Sequence, residues 1–350
     1  MFFASDNTSP VHPAVMEALT RANEGYAKSY GADDIMDRVR QKIRDLFEAP
    51  EAAVYLVATG SAANALGLSI MTEPWQTIFC HRNAHIEEDE CGAPEFYIGG
   101  GKLALVEGLH GKMDPEALRR AIEFTGRGGV HNHQRGVVAL TNVTENGTVY
   151  SVRQVKALTA IAKEYGLPVH MDGARFANAI AATEASPAEM TWKAGVDVLS
   201  FGGTKNGLMG VEAVVIFDPA KAWEFELRRK RGGHLFSKHR YLSAQMEAYL
   251  EGDLWIRLAQ HANRMGVTLS KGITALPGAS LLHPTDANCV FASFPRRAHR
   301  AAHAAEARYY LWPFNQSLDG DEDECLAARL VCSWSTTAED VEQFLQHLRA

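Results

Sequence analysis

The chain is poor in the features that mark many specialised proteins. Its five cysteines, Cys80, Cys91, Cys289, Cys325 and Cys332, are odd in number, widely spaced and without a Cys-x-x-Cys pair. Reduced thiols are expected rather than a disulfide framework. His/Cys metal spacing is missing as well, so no metal is expected. Gly-x-Gly-x-x-Gly, Gly-Lys-Ser/Thr and Gly-x-Ser-x-Gly patterns are absent, which leaves nicotinamide, P-loop and serine-hydrolase chemistry without support. Positive charge is in deficit: 35 Lys and Arg against 42 Asp and Glu give a net charge of −7. Phosphate-backbone binding needs clustered cations without an acidic excess, so no nucleic-acid partner is expected. No apolar run is long enough to cross a bilayer. The start, Met1-Phe-Phe-Ala-Ser-Asp6, meets an acid at once and carries no basic leader, so a cytoplasmic location away from membranes is expected.

What is present is ordinary globular composition. With 46% hydrophobic and 22% charged residues over 350 positions, the chain can bury one large core and a smaller one. Residues 137–140 read as a buried strand. Ser151 then caps a helix whose apolar face is Val152, Val155, Leu158, Ile161, Ala162 and Tyr165, and Gly166 stops it. Residues 167–171 form the next strand, completing a parallel crossover unit, and 196–201 is a further strand. Upstream, 13–22 and 33–47 show helical spacing, the second with Asp33 as N-cap, and 54–57 is a short strand. A basic, aromatic helical stretch covers 221–250. The Leu276-Pro277-Gly278 turn introduces a C-terminal lobe with a helix at 298–311, a strand at 326–334 and a last helix carrying Val341, Phe344, Leu345 and Leu348. The expected division is a large domain over 1–250, including the N-terminal segment, and a small one over 251–350.

The chemistry concentrates where two of these strands end. Lys205 lies among small residues in Val198-Leu-Ser-Phe-Gly-Gly-Thr-Lys-Asn-Gly207, where an amine can form a Schiff base. Val169-His-Met-Asp-Gly-Ala-Arg175 supplies an acid and an arginine after another strand. Ligands of open parallel sheets bind beyond the carboxyl ends of strands, and one helix with its turns fits between Asp172 and Lys205. An amine plus a carboxylate is what pyridoxal 5'-phosphate (PLP) requires, the first for attachment and the second to keep the pyridine nitrogen protonated. Thr59-Gly-Ser-Ala-Ala-Asn64, at a strand-to-helix turn, is a capped helix start when read alone. Beside the lysine and aspartate it reads as a phosphate site, with Gly60 letting the backbone approach and Ser61 donating.

Other residues admit two readings each. His85 is a ring able to stack on a pyridine face, or a structural histidine; the acids Glu87 to Glu90 after it read as a solvated face. His131 and His133 are either general-base candidates or loop histidines. Arg228 to Arg231 is a solvated helix face or an anion site at a subunit contact. Arg329, inside the apolar strand Leu326-Ala-Ala-Arg-Leu-Val-Cys-Ser-Trp334, either grips a substrate carboxylate or closes an internal salt bridge.

These motifs, in this order, resemble the low-specificity L-threonine aldolases, within the β-eliminating-lyase group of fold-type-I PLP enzymes. The resemblance runs nearly the full length, through Ser5-Asp-Asn7, Tyr30-Gly-x-Asp33, Thr59 to Asn64, Ala84-His85, Asp172 to Arg175, Ser200 to Lys205 and Arg329-Leu-Val331. It implies an α/β fold with a mostly parallel central sheet flanked by helices and a smaller C-terminal α/β domain. It further implies that Lys205 attaches PLP, Asp172 pairs with the ring nitrogen, Gly60 and Ser61 hold the phosphate, and His85 stacks on the ring. Ser5, Arg175 and Arg329 would receive the substrate carboxylate, with Arg175 also near the ring hydroxyl, and His131 or His85 would act as base. Tyr30 would reach a neighbouring subunit's site in a homo-oligomer, a tetramer or dimer. The implied reaction is cleavage of L-threonine, L-allo-threonine or a related β-hydroxy-α-amino acid to glycine and an aldehyde. The alternatives are β-elimination, transamination or racemisation on the same scaffold, or a non-catalytic binding domain. The chain departs from the family's usual pattern at Asn142-Val-Thr-Glu-Asn-Gly147 and at Gly232-Gly-His-Leu-Phe-Ser-Lys238, which leaves substrate size and stereochemical preference open and permits a phenylserine-type substrate.

Overall fold

The computed structural model describes residues 1–349; residue 350, the last of the expected small domain, lies outside the described residues. Seven strands form the larger sheet: β1 (Ala53–Val57), β2 (Gln76–His81), β3 (Lys102–Val106), β4 (Gln134–Thr141), β5 (Val169–Gly173), β6 (Val198–Gly202) and β7 (Glu212–Ile216). Their order is β1-β7-β6-β5-β4-β2-β3. β7 runs antiparallel to both its neighbours and the rest of the sheet is parallel. Strands buried on both faces need continuous apolar sequence, and β5, β6 and β7 are buried throughout.

The crossover from β4 to β5 follows from local sequence. Ser151 and Gln154 form a capping box at the start of the helix Val152–Glu164, which buries Val155, Leu158, Ile161 and Ala162 at helical spacing. Gly166 then turns the chain at φ 69°. The following strand is Val169–Gly173, shifted two residues along from the expected 167–171, and so Asp172 lies inside the strand rather than just past its end. The basic stretch 221–250 is two helices, Ala222–Arg231 and Arg240–Leu250, divided where Gly233 takes φ 76°. Arg229 of that stretch is buried over the Tyr55 ring, whereas Lys230 and Arg231 are exposed, so the run is no uniform face.

A second, antiparallel sheet in the order β10-β11-β9-β8 is built from β8 (Ser280–Leu281), β9 (Cys289–Pro295), β10 (Tyr310–Leu311) and β11 (Cys325–Val331). The helix expected over 298–311 is Arg296–Ala304; the chain leaves it through Glu306 at φ 61° and pairs as β10. Arg329 alternates with buried Ala328 and Leu330 and is itself half-buried on the other face. The N-terminus belongs to this layer: Phe3 accepts from Val331 N at 2.8 Å, and its ring packs on Phe344 at 5.0 Å. Ser5, Asp6 and Asn7 are thereby carried from the small sheet toward the large one. The helix Leu254–Thr274 ties the two cores, with Trp255 and Ala259 in the first and Leu269 and Ile273 in the second. No helix among the described residues is long and apolar enough to cross a membrane.

Candidate active site

Five segments of the large sheet and the N-terminal segment meet at one edge, around a cavity of about 290 Å³ lined by Asn7, Gly60, Ser61, Asn64, His85 and Asp172 on one part of its wall. Glu90, Thr204, Lys205 and Glu212 line the rest. The edge is the carboxyl end of β1, β2, β5 and β6. Because β7 alone is reversed, its first residue, Glu212, falls at the same edge, paired in register with Gly202 and Val57.

Local sequence places each group. The helix Gly60–Ser69 starts at the cavity wall, with Thr59 Oγ1 accepting from Ala62 N at 3.2 Å. Beyond its chain neighbours and its own helix backbone, no atom lies within 4 Å of where a Gly60 side chain would begin, so the first turn is open to a ligand. Lys205 sits in a 3-10 turn after β6, half-buried. A side chain at Gly202 would collide with the Ala174 carbonyl, which explains the small residues before the lysine: β6 and the turn after β5 are packed backbone to backbone. Asn206 locks the turn by donating to Tyr249 Oη at 2.7 Å and the Trp255 carbonyl at 2.8 Å.

Asp172 is 5% exposed and fully engaged. Its Oδ1 accepts from Ala174 N and its Oδ2 from Asn64 Nδ2, each at 2.9 Å. Asn64 Nδ2 also donates to Glu90 Oε1 at 2.9 Å, and the same oxygen meets His85 Nδ1 at 2.8 Å. The bond to Glu90 raises the His85 pKa, and burial raises that of Glu90. Burial likewise pushes the Glu212 carboxyl up to about 7, against the bond it accepts from Gly203 N at 2.6 Å.

A second cluster adjoins the cavity. Arg175 grips Asp6 with two bonds, and Asn288 Nδ2 donates to Asp6 Oδ2 at 3.2 Å. Burial would raise the Asp6 carboxyl, but the charge and hydrogen bonds of Arg175 outweigh it and hold the group below its ordinary value. Ser5 caps the 3-10 turn Asp6–Thr8, accepting from Asn7 N at 3.1 Å. Arg329 Nη2 donates to the Ala4 carbonyl at 3.4 Å, its Nε is buried without a partner, and its guanidinium lies over the Tyr310 and Trp312 rings. No acid pairs with it among the described residues. Its unused donors are consistent with a ligand anion rather than an internal salt bridge.

The structure thus brings Gly60, Ser61, His85, Asp172 and Lys205 to one cavity and sets Ser5, Arg175 and Arg329 beside it. Two of the expected residues stand elsewhere in this chain. His131 is exposed ahead of the amino end of β4, the opposite end of a strand about 23 Å long at the usual rise per residue, away from the carboxyl edge where the cavity lies. Tyr30 is half-exposed under Lys230 and borders a separate surface pocket with Trp223, Leu227 and Leu235. Sequence reasoning missed Glu90: of the acids after His85, Glu87, Glu88 and Asp89 are exposed as expected, but Glu90 is 5% exposed and bonded into the site. It also missed Asp6, Asn64 in its bridging role, and Glu212. The only sequence sign of the last was an acid at the head of an apolar strand.

A mostly parallel sheet with a lysine, an aspartate and an open helix start at its carboxyl edge defines the fold-type-I class. The beta-eliminating lyase family matches residues 3–295, and the chain belongs to it. A low specificity L-threonine aldolase of Pseudomonas aeruginosa is 41% identical over 347 residues, 99% of this chain and 96% of its own length. One of a further Pseudomonas species is 39% identical over 348 residues, 99% of this chain and 97% of its own. The solved Leishmania major threonine aldolase superposes with a TM-score of 0.91 at 26% identity, covering 99% of this chain and 98% of that one.

Proposed function

We propose that this protein is a PLP-dependent aldolase, a carbon–carbon lyase that cleaves the Cα–Cβ bond of L-threonine or a related β-hydroxy-α-amino acid to glycine and an aldehyde. The observation that carries the reading is that Lys205 and Asp172 line a single cavity whose wall includes an open helix start. The residues fit the cofactor. The Lys205 amine would attach it, Asp172, whose two carboxylate oxygens are held by Asn64 and Ala174, would pair with its ring nitrogen, Gly60 and Ser61 would take its phosphate, and His85 would cover a ring face. Bound PLP supplies an electron sink for the pair released from the broken bond. Arg329 and Arg175, with Ser5, take the substrate carboxylate and so fix which bond at Cα is aligned to break. His85 accepts the β-hydroxyl proton as the aldehyde departs, and gives that proton back to Cα to complete glycine, which restores the base.

The same reading extends to a cytoplasmic homo-oligomer, dimer or tetramer. The exposed apolar surface around Tyr30, Trp223, Leu227 and Leu235 supports a subunit contact, and sedimentation should return a multiple of 38.4 kDa. The deciding assay offers L-threonine, L-allo-threonine and L-phenylserine to PLP-loaded protein. Glycine and an aldehyde are expected; pyruvate and ammonia from serine, with no aldehyde from any of the three, would overturn the assignment.

A further inference from the structure

Both hydrogens of Asn64 Nδ2 are spent on carboxylates: one on Asp172 Oδ2, the other on Glu90 Oε1. Two carboxylate oxygens at 2.9 Å from one atom require that atom to be the nitrogen, so the orientation of the amide is settled by chemistry. Glu90 Oε1 then receives His85 Nδ1 as well, at 2.8 Å. A carboxylate accepts, so His85 Nδ1 carries a hydrogen, and Nε2 is the nitrogen left with a lone pair in the neutral ring. Nε2 has no protein partner among the described residues, and His85 lines the cavity.

We propose that Glu90 is a positioning residue: its bond to Nδ1 fixes the tautomer of His85 and makes Nε2 the basic nitrogen, while Asn64 ties the same carboxylate to Asp172. One side of the site thereby aligns both the proton acceptor and the acid that faces the cofactor ring. The assignment of His85 as acceptor rests on the aldolase reading; the tautomer and its cause do not. The surroundings agree. Glu90 is 5% exposed, its Oε2 lacks a partner, and a buried carboxylate short of donors holds a neighbouring imidazolium strongly. The charged groups acting on His85 are Glu90, Glu145, Asp172 and Lys205; the three acids favour its protonated form and the lysine opposes it. Those acting on Glu90 are His85 and Asp172, with Asn64 as its second donor.

The test is a nitrogen-15 histidine NMR titration of the cofactor-free protein, which needs no turnover. In the wild type, His85 should titrate above 6.5 and its neutral form should be the Nδ1–H tautomer. Glu90→Gln retains an accepting oxygen but not the charge. The tautomer should persist while the midpoint falls by about one unit, a tenfold loss of proton affinity. Glu90→Ala should also lose the tautomer preference; if that variant does not fold, the glutamine variant decides alone. In PLP-loaded protein, the acid limb of the kcat/KM profile should move to lower pH by the same amount in Glu90→Gln, with KM little changed. A wild-type neutral His85 found as the Nε2–H tautomer, or a folded Glu90→Gln variant whose His85 midpoint stays at the wild-type value, overturns the proposal. A shifted midpoint with an unmoved acid limb removes His85 as the acceptor and the catalytic consequence of Glu90 with it. A wild type that yields no aldehyde defeats the aldolase reading and leaves the NMR result standing.

Discussion

Asp6 and Arg175, 169 positions apart in the chain, form a buried two-pronged ion pair, Nε to Oδ2 at 2.7 Å and Nη2 to Oδ1 at 2.9 Å. Asp6 follows a segment hydrogen-bonded to the small sheet, and Arg175 follows β5 of the large one, so the pair joins the two layers beside the cavity. Removing one partner of a buried pair leaves an uncompensated charge. Asp6→Asn should cost about 3–5 kcal/mol in urea unfolding at neutral pH. Because the folded-state pKa of Asp6 lies below its ordinary 3.8, the pair's contribution is complete above that value and is lost as pH falls through the lower folded pKa. The wild type should therefore converge on the variant in acid, and a gap that persists at low pH would refute the account.

Arg329 makes one long bond to a carbonyl and is otherwise free to bind an anion. Arg329→Ala should raise KM for the amino acid by about 10- to 100-fold, the loss of a charge-assisted bond. Affinity for PLP, measured by fluorescence titration, should change little. Arg329→Lys should recover only part of the loss, because an ammonium cannot reproduce the fork.

Replacing Lys205 by alanine should remove the visible absorbance of cofactor-loaded protein and abolish aldehyde release. Fold and thermal midpoint of the cofactor-free protein should be nearly unchanged, since the side chain is half-buried. Turnover at the wild-type rate would exclude the lysine as the attachment point.

Glu212 ties stability to pH in the opposite sense from Asp6. Its carboxyl is raised from 4.5 to about 7 by burial, so the folded state holds the proton more tightly than the unfolded one. Stability from this group is full below 4.5 and lost as pH climbs to about 7, by something of the order of 3 kcal/mol. Glu212→Gln cannot ionise. Melting of the cofactor-free variant from pH 5 to 8 should be flatter than that of the wild type, with the two curves separating toward pH 8.

Much of the large sheet could be read from sequence because local rules decide it. Ser151 and Gln154 cap a helix by contacts three residues apart, the helical period marks the buried face, and an unbroken apolar run marks a strand buried on both sides. The short C-terminal pieces were harder. β10 has two residues and exists only because β11 offers it partners, so nothing local distinguishes 310–311 from the end of the preceding helix.

The sequence alone determined the chemical inventory: a lysine among small residues, an aspartate after an apolar run, a glycine–serine helix start and an arginine in an apolar strand, each set by residue type and short-range spacing. Tertiary structure alone decided which polar side chains were withdrawn from water and joined. Glu90 and Glu87 are neighbours of the same chemical kind, yet only Glu90 is turned inward to meet His85 and Asn64. Asp6 meets Arg175 because the N-terminal segment is bonded to the far sheet. His131 and His85 are the same side chain, and which end of a strand each adjoins determines which can reach the cavity. Burial and partnership depend on contacts between residues distant along the chain, and no local pattern encodes them.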